Sequence, residues 1–560
     1  MIQGNAAAPE GAELTRLSKC LYSFMVIAIA FAAVVLFQWR NGAFHHEFIS
    51  DAIGHYTTGL MLHDFLLSDS WSRPLNYAIT YQEHYAFVGL GLWPPFYHAI
   101  EAVWMLAFSP SRISVMLYSA TLVALLASVA GWLLLRAFGL LSAIAAVLVI
   151  VALPVMQFAA NSLVVDTLVS LLALGAALSF GRFAKTNKMS DIIVFSGLAA
   201  ACILTKGNGF MLALMPGLYV LLSGRWRILA RWTFWFPLPL IALLVGPWYL
   251  LTYGWLSQGF LYHWGWDFTR MAVVANSQIL YSNLGPAIIF SILGAIAGVR
   301  SERATGGSLW TVLTALAIAC FAFQSVVPAA FEPRYLMPML APSIALCARG
   351  LAEVAAWIGR TRWAVAGQMK TKVRATVAAL TLVLALCALP SVLHASGSPS
   401  FGVGPIVEKA IAVLPPNNPV LLMAEGPMLE ADVAGEAMLR DTHRPHLVLA
   451  RGTKILGGGG YRRIDYKPRF ATTEAVMAQI ERLGIPVVLL EVPSGAAEYK
   501  HTAQVLEAIK TYPERWQLVS QSKLPRDMEL RVYRVLPNAG KPMDWPRLSA
   551  ELTPSKKLGN

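Results

Sequence analysis

Apolar runs of about 20 residues, enough to cross a hydrocarbon core, recur along the first two-thirds of this chain, and short basic clusters separate them. Inside lipid every backbone polar group must be satisfied internally, and a helix does this by itself. Candidate spans fall at 20–38, 114–135, 138–156, 166–182, 190–205, 208–223, 232–253, 278–298, 308–326, 335–348 and 375–393. Only 13% of the 560 residues are charged, about half the share usual in soluble domains. The expected fold class is an α-helical polytopic membrane protein with about 11 transmembrane helices.

The basic clusters give the spans a direction. Threaded alternately, one side collects Arg136, then Arg182, Lys185 and Lys188, then Arg225, Arg227 and Arg231, then Arg300 and Arg303. The segment 349–374 and the N-terminus, with Arg16 and Lys19, join them. An excess of Lys and Arg marks the cytoplasmic side. No small-residue cleavage site follows the first run, so it reads as a retained span. The net charge of +13 is thus spent on loops, with no basic stripe that would suit nucleic acid. The five cysteines all sit in or beside apolar runs and include no CxxC, so neither a zinc site nor a disulfide framework is expected.

One apolar segment must lie outside the count, LWPPFYHAIEAVWMLAF at 92–108. Counted as a span, it would turn every later basic loop outward. Its double proline, interfacial aromatics, and His98 and Glu101 one turn apart suit an outer-face juxtamembrane helix. The outer face then holds Asp51, Asp166, Lys206, Glu332 and Arg334, and ionisable residues at membrane depth are candidates for function. A more polar tail alternates strand-like and helix-like stretches, from PVLLMAEG through IPVVLLEV to the pair WQLVSQS and ELRVYRVL. A transmembrane domain is expected over 1–393 and an extracytoplasmic α/β domain over 394–560. The four glycines in RGTKILGGGGYRR lack phosphate-cradle spacing and read as a loop.

Four stretches, in order, resemble the C-type glycosyltransferase superfamily (GT-C), specifically the protein O-mannosyltransferase and aminoarabinose transferase-like group. They are ISDAIGHYTTGLML, LWPPFYHAIEAVWMLAF, LPVMQFAANSLVVDTLVSLLAL with the later ILTKGNGFMLALMPGLYVLL, and FEPRYLMPMLAPSIAL. The resemblance implies a polyprenyl-phosphate sugar donor and an extracytoplasmic acceptor. It also implies Asp51 as catalytic base; direct displacement would invert the anomeric centre, and Asp166, placed opposite Asp51, would act in support. Arg334, Lys206 and Tyr335 would bind the donor phosphate, and His55, Tyr56, Trp93, His263 and Trp266 would line the substrate. Two positions depart from the pattern. Ala52 follows Asp51 where many relatives have glutamate, and Trp93 stands where aminoarabinose-type members have a lysine before the double proline.

Each residue also has a plain structural reading. Asp51 and Asp166 suit helix N-termini, and Arg334 could pair with Glu332 or snorkel to headgroups. Lys206 could be an interface anchor, and the aromatic loop LYHWGWDFTR an interfacial belt. His45, His46, His55 and His63 with Glu47 match no zinc pattern. No cofactor is required by the implied chemistry; a divalent metal is possible but not indicated. A transporter or flippase of lipid-linked sugars is the alternative. It would be expected to show internal repeats, and none is visible.

Overall fold

The computed structural model describes residues 16–48, 51–89, 91–256, 260–362, 402–458, 466–525 and 528–552. The expected span at 375–393 lies outside them. Among the described residues, six helices are long and apolar enough to cross a membrane, or up to eight if each of two bent pairs is one span. The six include α1 (Arg16–Arg40), α5 (Arg112–Phe138), α8 (Asp166–Thr186) and α15 (Leu309–Val326). Their outward faces are apolar; in α12 (Pro237–Leu256), Leu250 is 83% exposed.

Two of the expected spans are broken. The run at 278–298 is divided between α13 (Trp266–Leu284) and α14 (Ala287–Thr305), which meet at 101°. Gly285 takes a left-handed φ of 52° there, and Pro286 follows it; proline cannot continue a helix from the residue before it. The run at 138–156 bends by 75° between α6 (Leu140–Ala152) and α7 (Pro154–Ala160) for the same reason, with Leu153 extended before Pro154. The runs at 190–205 and 208–223 form α9 (Met189–Thr205), a 3₁₀ turn over Gly207–Ala213 and α10 (Met215–Ser223), all short.

Close packing fixes α14 against α16 (Met337–Arg362). A Cβ on Gly294 would lie 1.8 Å from the Leu346 carbonyl oxygen, and one on Gly350 2.0 Å from that of Phe290. Only glycines let the two backbones touch. At one end of the bundle Arg225 donates to the carbonyls of Ala184 and Gly307, and Arg303 to that of Leu222. The basic loops after α8, α10 and α14 therefore share that end. The Asp166 end of α8 lies about 30 Å away by helix rise.

The polar tail contains a five-stranded sheet made of β1 (Val420–Ala424), β2 (Val448–Arg451), β3 (Val487–Val492), β4 (Trp516–Leu524) and β5 (Met528–Val535). Its order is β2-β1-β3-β5-β4, parallel across the first three and antiparallel beyond. The parallel strands are almost wholly buried, as strands covered on both faces must be. Helix α17 (Val403–Ala412) packs on α18 (Pro427–Arg440), which seats this part on α2 (Asp51–Leu67), with Gly435 facing Ile53. Polar ties complete the seat. Arg444 donates to Asp64 at 2.9 Å, Glu47 accepts from the Val403 amide at 2.9 Å, and Arg112 pairs with Glu436.

The segment after the double proline forms α4 (Phe96–Ala107). His98 and Glu101 are both fully buried, while Val103 and Phe108 are exposed. The helix turns its apolar side outward.

Candidate active site

Four ionisable side chains from four chain segments meet at the end of the bundle away from the basic loops. Asp51 is the first residue of α2 and Asp166 the first of α8, so each carboxylate sits in the positive end of a helix dipole. Asp166 caps nothing; both its oxygens accept from Lys206 Nζ, at 2.8 and 2.9 Å. Lys206 reaches it because α9 stops at Thr205 and the chain reverses into the 3₁₀ turn. Arg334 comes from the 3₁₀ turn Pro333–Leu336 ahead of α16. Its Nη2 donates to Asp51 Oδ2 at 2.7 Å, and its Nε lies 4.0 Å from Asp166 Oδ2. The guanidinium therefore stands between the two carboxylates, and its buried Nε makes no hydrogen bond. Lys206 Nζ sits 4.2 Å from the Tyr335 ring centroid.

The group has two negative and two positive charges and is formally neutral. Asp51 is its accessible member, with a side chain 33% exposed against 2% for Asp166. The sequence-level pairing of Arg334 with Glu332 is not what the structure shows, since the arginine turns to Asp51.

The remaining expected residues fall differently. His55, one turn along α2 from Asp51, is buried, with Nδ1 3.1 Å from His98 Nε2 and its ring 4.5 Å from Trp93. Burial, aided by His98, Lys206 and Arg334, holds His55 well below the usual imidazole range. Burial pushes His98 down to about 3, so the pair is uncharged at neutral pH. Trp93 lies against Gly54 and Gly89, a packing position. Tyr56 is buried and donates to the Pro110 carbonyl at 3.0 Å. His263 and Trp266 are exposed. The aromatic loop touches the segment before Arg334 through other rings, Tyr262 and Phe268 against Phe331 at 5.3 and 5.7 Å. Among the described residues, no group of three or more His, Cys, Asp or Glu could hold a metal ion.

A cavity of about 470 Å³ adjoins Asp51 and Arg334. Asn41, Gln157, Asn161 and Glu332 also line it. Gln38 positions this wall by donating to the carbonyls of Met116 and Ala160, which ties α1, α5 and α7 together. None of the three amides was singled out from sequence, although Gln157 and Asn161 are conspicuous polar residues in the apolar stretch before Asp166.

No protein-family model matches the sequence, and no curated protein matches it either. Solved structures do. ArnT from Cupriavidus metallidurans in the apo state superposes with a TM-score of 0.57 at 16% identity, over 93% of this chain and 98% of that one. ArnT bound to undecaprenyl phosphate gives 0.53 at 14% identity over the same shares. The archaeal oligosaccharyltransferase AglB from Archaeoglobus fulgidus, in complex with an inhibitory peptide and a dolichol-phosphate, gives 0.53 at 12% identity, over 91% of this chain and 80% of that one. Both proteins are C-type glycosyltransferases. The fold here is the C-type glycosyltransferase fold. Its match to ArnT runs nearly end to end, so the C-type likeness takes in the α/β tail as well as the helical bundle.

Proposed function

We propose that the chain is a multi-pass inner-membrane glycosyltransferase that moves a sugar from a polyprenyl-phosphate donor to an extracytoplasmic acceptor. The observation that carries this reading is the Asp51–Arg334–Asp166–Lys206 group at one end of a C-type bundle, opened to a cavity on the Asp51 side. The undecaprenyl phosphate and dolichol-phosphate in the similar structures support a lipid-phosphate donor. The grouping of basic loops at the far end supports a cytoplasmic N-terminus and an extracytoplasmic α/β tail.

In this mechanism an acceptor hydroxyl attacks the anomeric carbon while the bond from that carbon to the phosphate oxygen breaks. Asp51, at a helix N-terminus, takes the hydroxyl proton, a contribution of about 10²–10⁴-fold. The leaving phosphate keeps the bonding electron pair and is neutralised by Arg334, through its unbonded Nε, and by Lys206. Asp166 holds both cations in place before the donor arrives. A single displacement inverts the anomeric centre and requires no metal. His55 and His98, uncharged, fix the face of α2 beneath the base.

The test is transfer by purified protein in liposomes from labelled polyprenyl-phosphate sugars, with release of the polyprenyl phosphate as readout. Asp51→Asn should lower the rate by at least about 10²-fold. Unchanged release in that variant would remove Asp51 as base. A reporter fused after residue 540 should report an extracytoplasmic end.

A further inference from the structure

The cavity beside Asp51 has a chemical character of its own. Asn41 is 3% exposed, and its Nδ2 donates to the Phe37 carbonyl at 2.8 Å, which fixes the amide and leaves Oδ1 buried without a partner. Asn161 Oδ1 is likewise buried and unbonded. Gln157 spends its Nε2 on the Ala152 carbonyl at 3.1 Å. Glu47, Asp51 and Glu332 add carboxylates to the lining, and the one guanidinium there, Arg334, is already bound to Asp51. His46 adds no fixed charge near neutral pH, because burial holds its ring below the usual imidazole range against the pull of Glu47. Three carboxylates against one guanidinium, with the unbonded Asn41 and Asn161 oxygens, make the lining rich in acceptors, and acceptors require donors. Phe48 and Phe158 supply apolar faces between them.

Lys206, Asp166 and Tyr335 do not line this space. Asp51 and Arg334 border this space, while Lys206, paired with Asp166, lies outside its lining. We infer that this cavity receives the acceptor substrate, and that the acceptor is a sugar ring that is uncharged or carries an amine, not one bearing a carboxylate or phosphate. The inference rests on the proposed role of Asp51, since a base must touch the group it deprotonates. Sugar hydroxyls and ammonium groups can donate to Asn41, Asn161 and Glu332. An anionic ring would bring acceptors against acceptors, and buried polar groups left unpaired are what reject a wrong ligand.

The experiment measures binding by saturation-transfer NMR on the full chain in nanodiscs, with methyl glucoside, methyl glucosaminide, methyl glucuronide and a serine-containing peptide as probes. Donor cleavage is followed in parallel. The glucoside and glucosaminide should bind, and the glucuronide at least about 10-fold more weakly. Gln157→Arg or, if that variant does not fold, Ser162→Lys at the same lining should narrow or reverse the ratio. Equal or tighter binding of the glucuronide overturns the inference. So does tighter binding of the peptide, an absence of binding by all three glycosides, or a ratio unmoved by the added cation. If the probes rank as expected and no donor is cleaved, the transferase reading fails while the character of the cavity stands.

Discussion

Replacing Lys206 with methionine should destabilise the protein, and a second change at Asp166 should restore stability without restoring transfer. The Asp166 side chain is 2% exposed, and both its oxygens face Lys206 Nζ. Without the ammonium, the buried carboxylate keeps only the Arg334 guanidinium, 4.0 Å away. Breaking a buried pair by removing one partner costs about 3–5 kcal/mol, and the remaining guanidinium puts Lys206→Met at the lower end, about 3 kcal/mol. That is roughly a 150-fold loss in the folding equilibrium. Lys206→Met/Asp166→Asn removes both charges at similar volume and should lie within about 1 kcal/mol of the unaltered protein. The double variant would then be about 2–3 kcal/mol more stable than Lys206→Met. Equilibrium unfolding in mixed micelles, followed by tryptophan fluorescence, measures it. Donor cleavage should stay low in both variants, because the phosphate has lost a cation. A double variant no more stable than Lys206→Met would refute the reasoning, since the two side chains would then not act as a unit.

Three further outcomes are expected. Gly59→Ala places a Cβ 2.4 Å from Glu101 Oε2; it should lower the melting temperature through about 1–3 kcal/mol of overpacking, and Glu101→Ala in the same chain should relieve it. Arg444→Ala removes hydrogen bonds to Asp64 at 2.9 and 3.3 Å; a loss of about 2 kcal/mol should appear as faster amide exchange in α2, which α18 covers. Asp432 is 4% exposed, and burial followed by Glu47 and Glu436 pushes its carboxyl up to about 8. The folded protein therefore holds a proton that the unfolded chain releases near pH 4. This contribution is complete below that pH and is lost as pH rises to about 8. Asp432→Asn should flatten the stability profile between those limits, and an unchanged slope in thermal unfolding would count against the assignment.

The helical bundle and the residues of the charged group were legible because each rests on a local signal. Apolar length marks spans, basic clusters mark one end, and an ionisable residue at a helix end costs enough to stand out. Long-range pairing was not legible. Asp166 and Lys206 are 40 residues apart and meet only because the chain reverses after Thr205. Glu332 is nearly adjacent to Arg334, yet the arginine reaches across to Asp51, 283 residues away. The break at Gly285 and Pro286 was hidden because hydropathy counts residues without regard to the hydrogen bond that proline removes.

Which face α4 buries was not legible in the sequence. A helix packed on a protein core in water turns its polar residues outward. Here Val103 and Phe108 are exposed, while His98 and Glu101 are turned inward. His98 meets His55 within the protein, and Glu101 lies against Gly59. Those contacts place an uncharged histidine pair under the first turns of α2, so the inverted face of α4 supports the helix that carries Asp51. An aspartate or lysine at the α4 surface position Val103 should therefore leave the charged group intact and weaken membrane association, whereas a leucine at His98 should disturb α2 itself. Amide exchange in α2 separates the two, and equal protection in both variants would remove α4 as the support of the base.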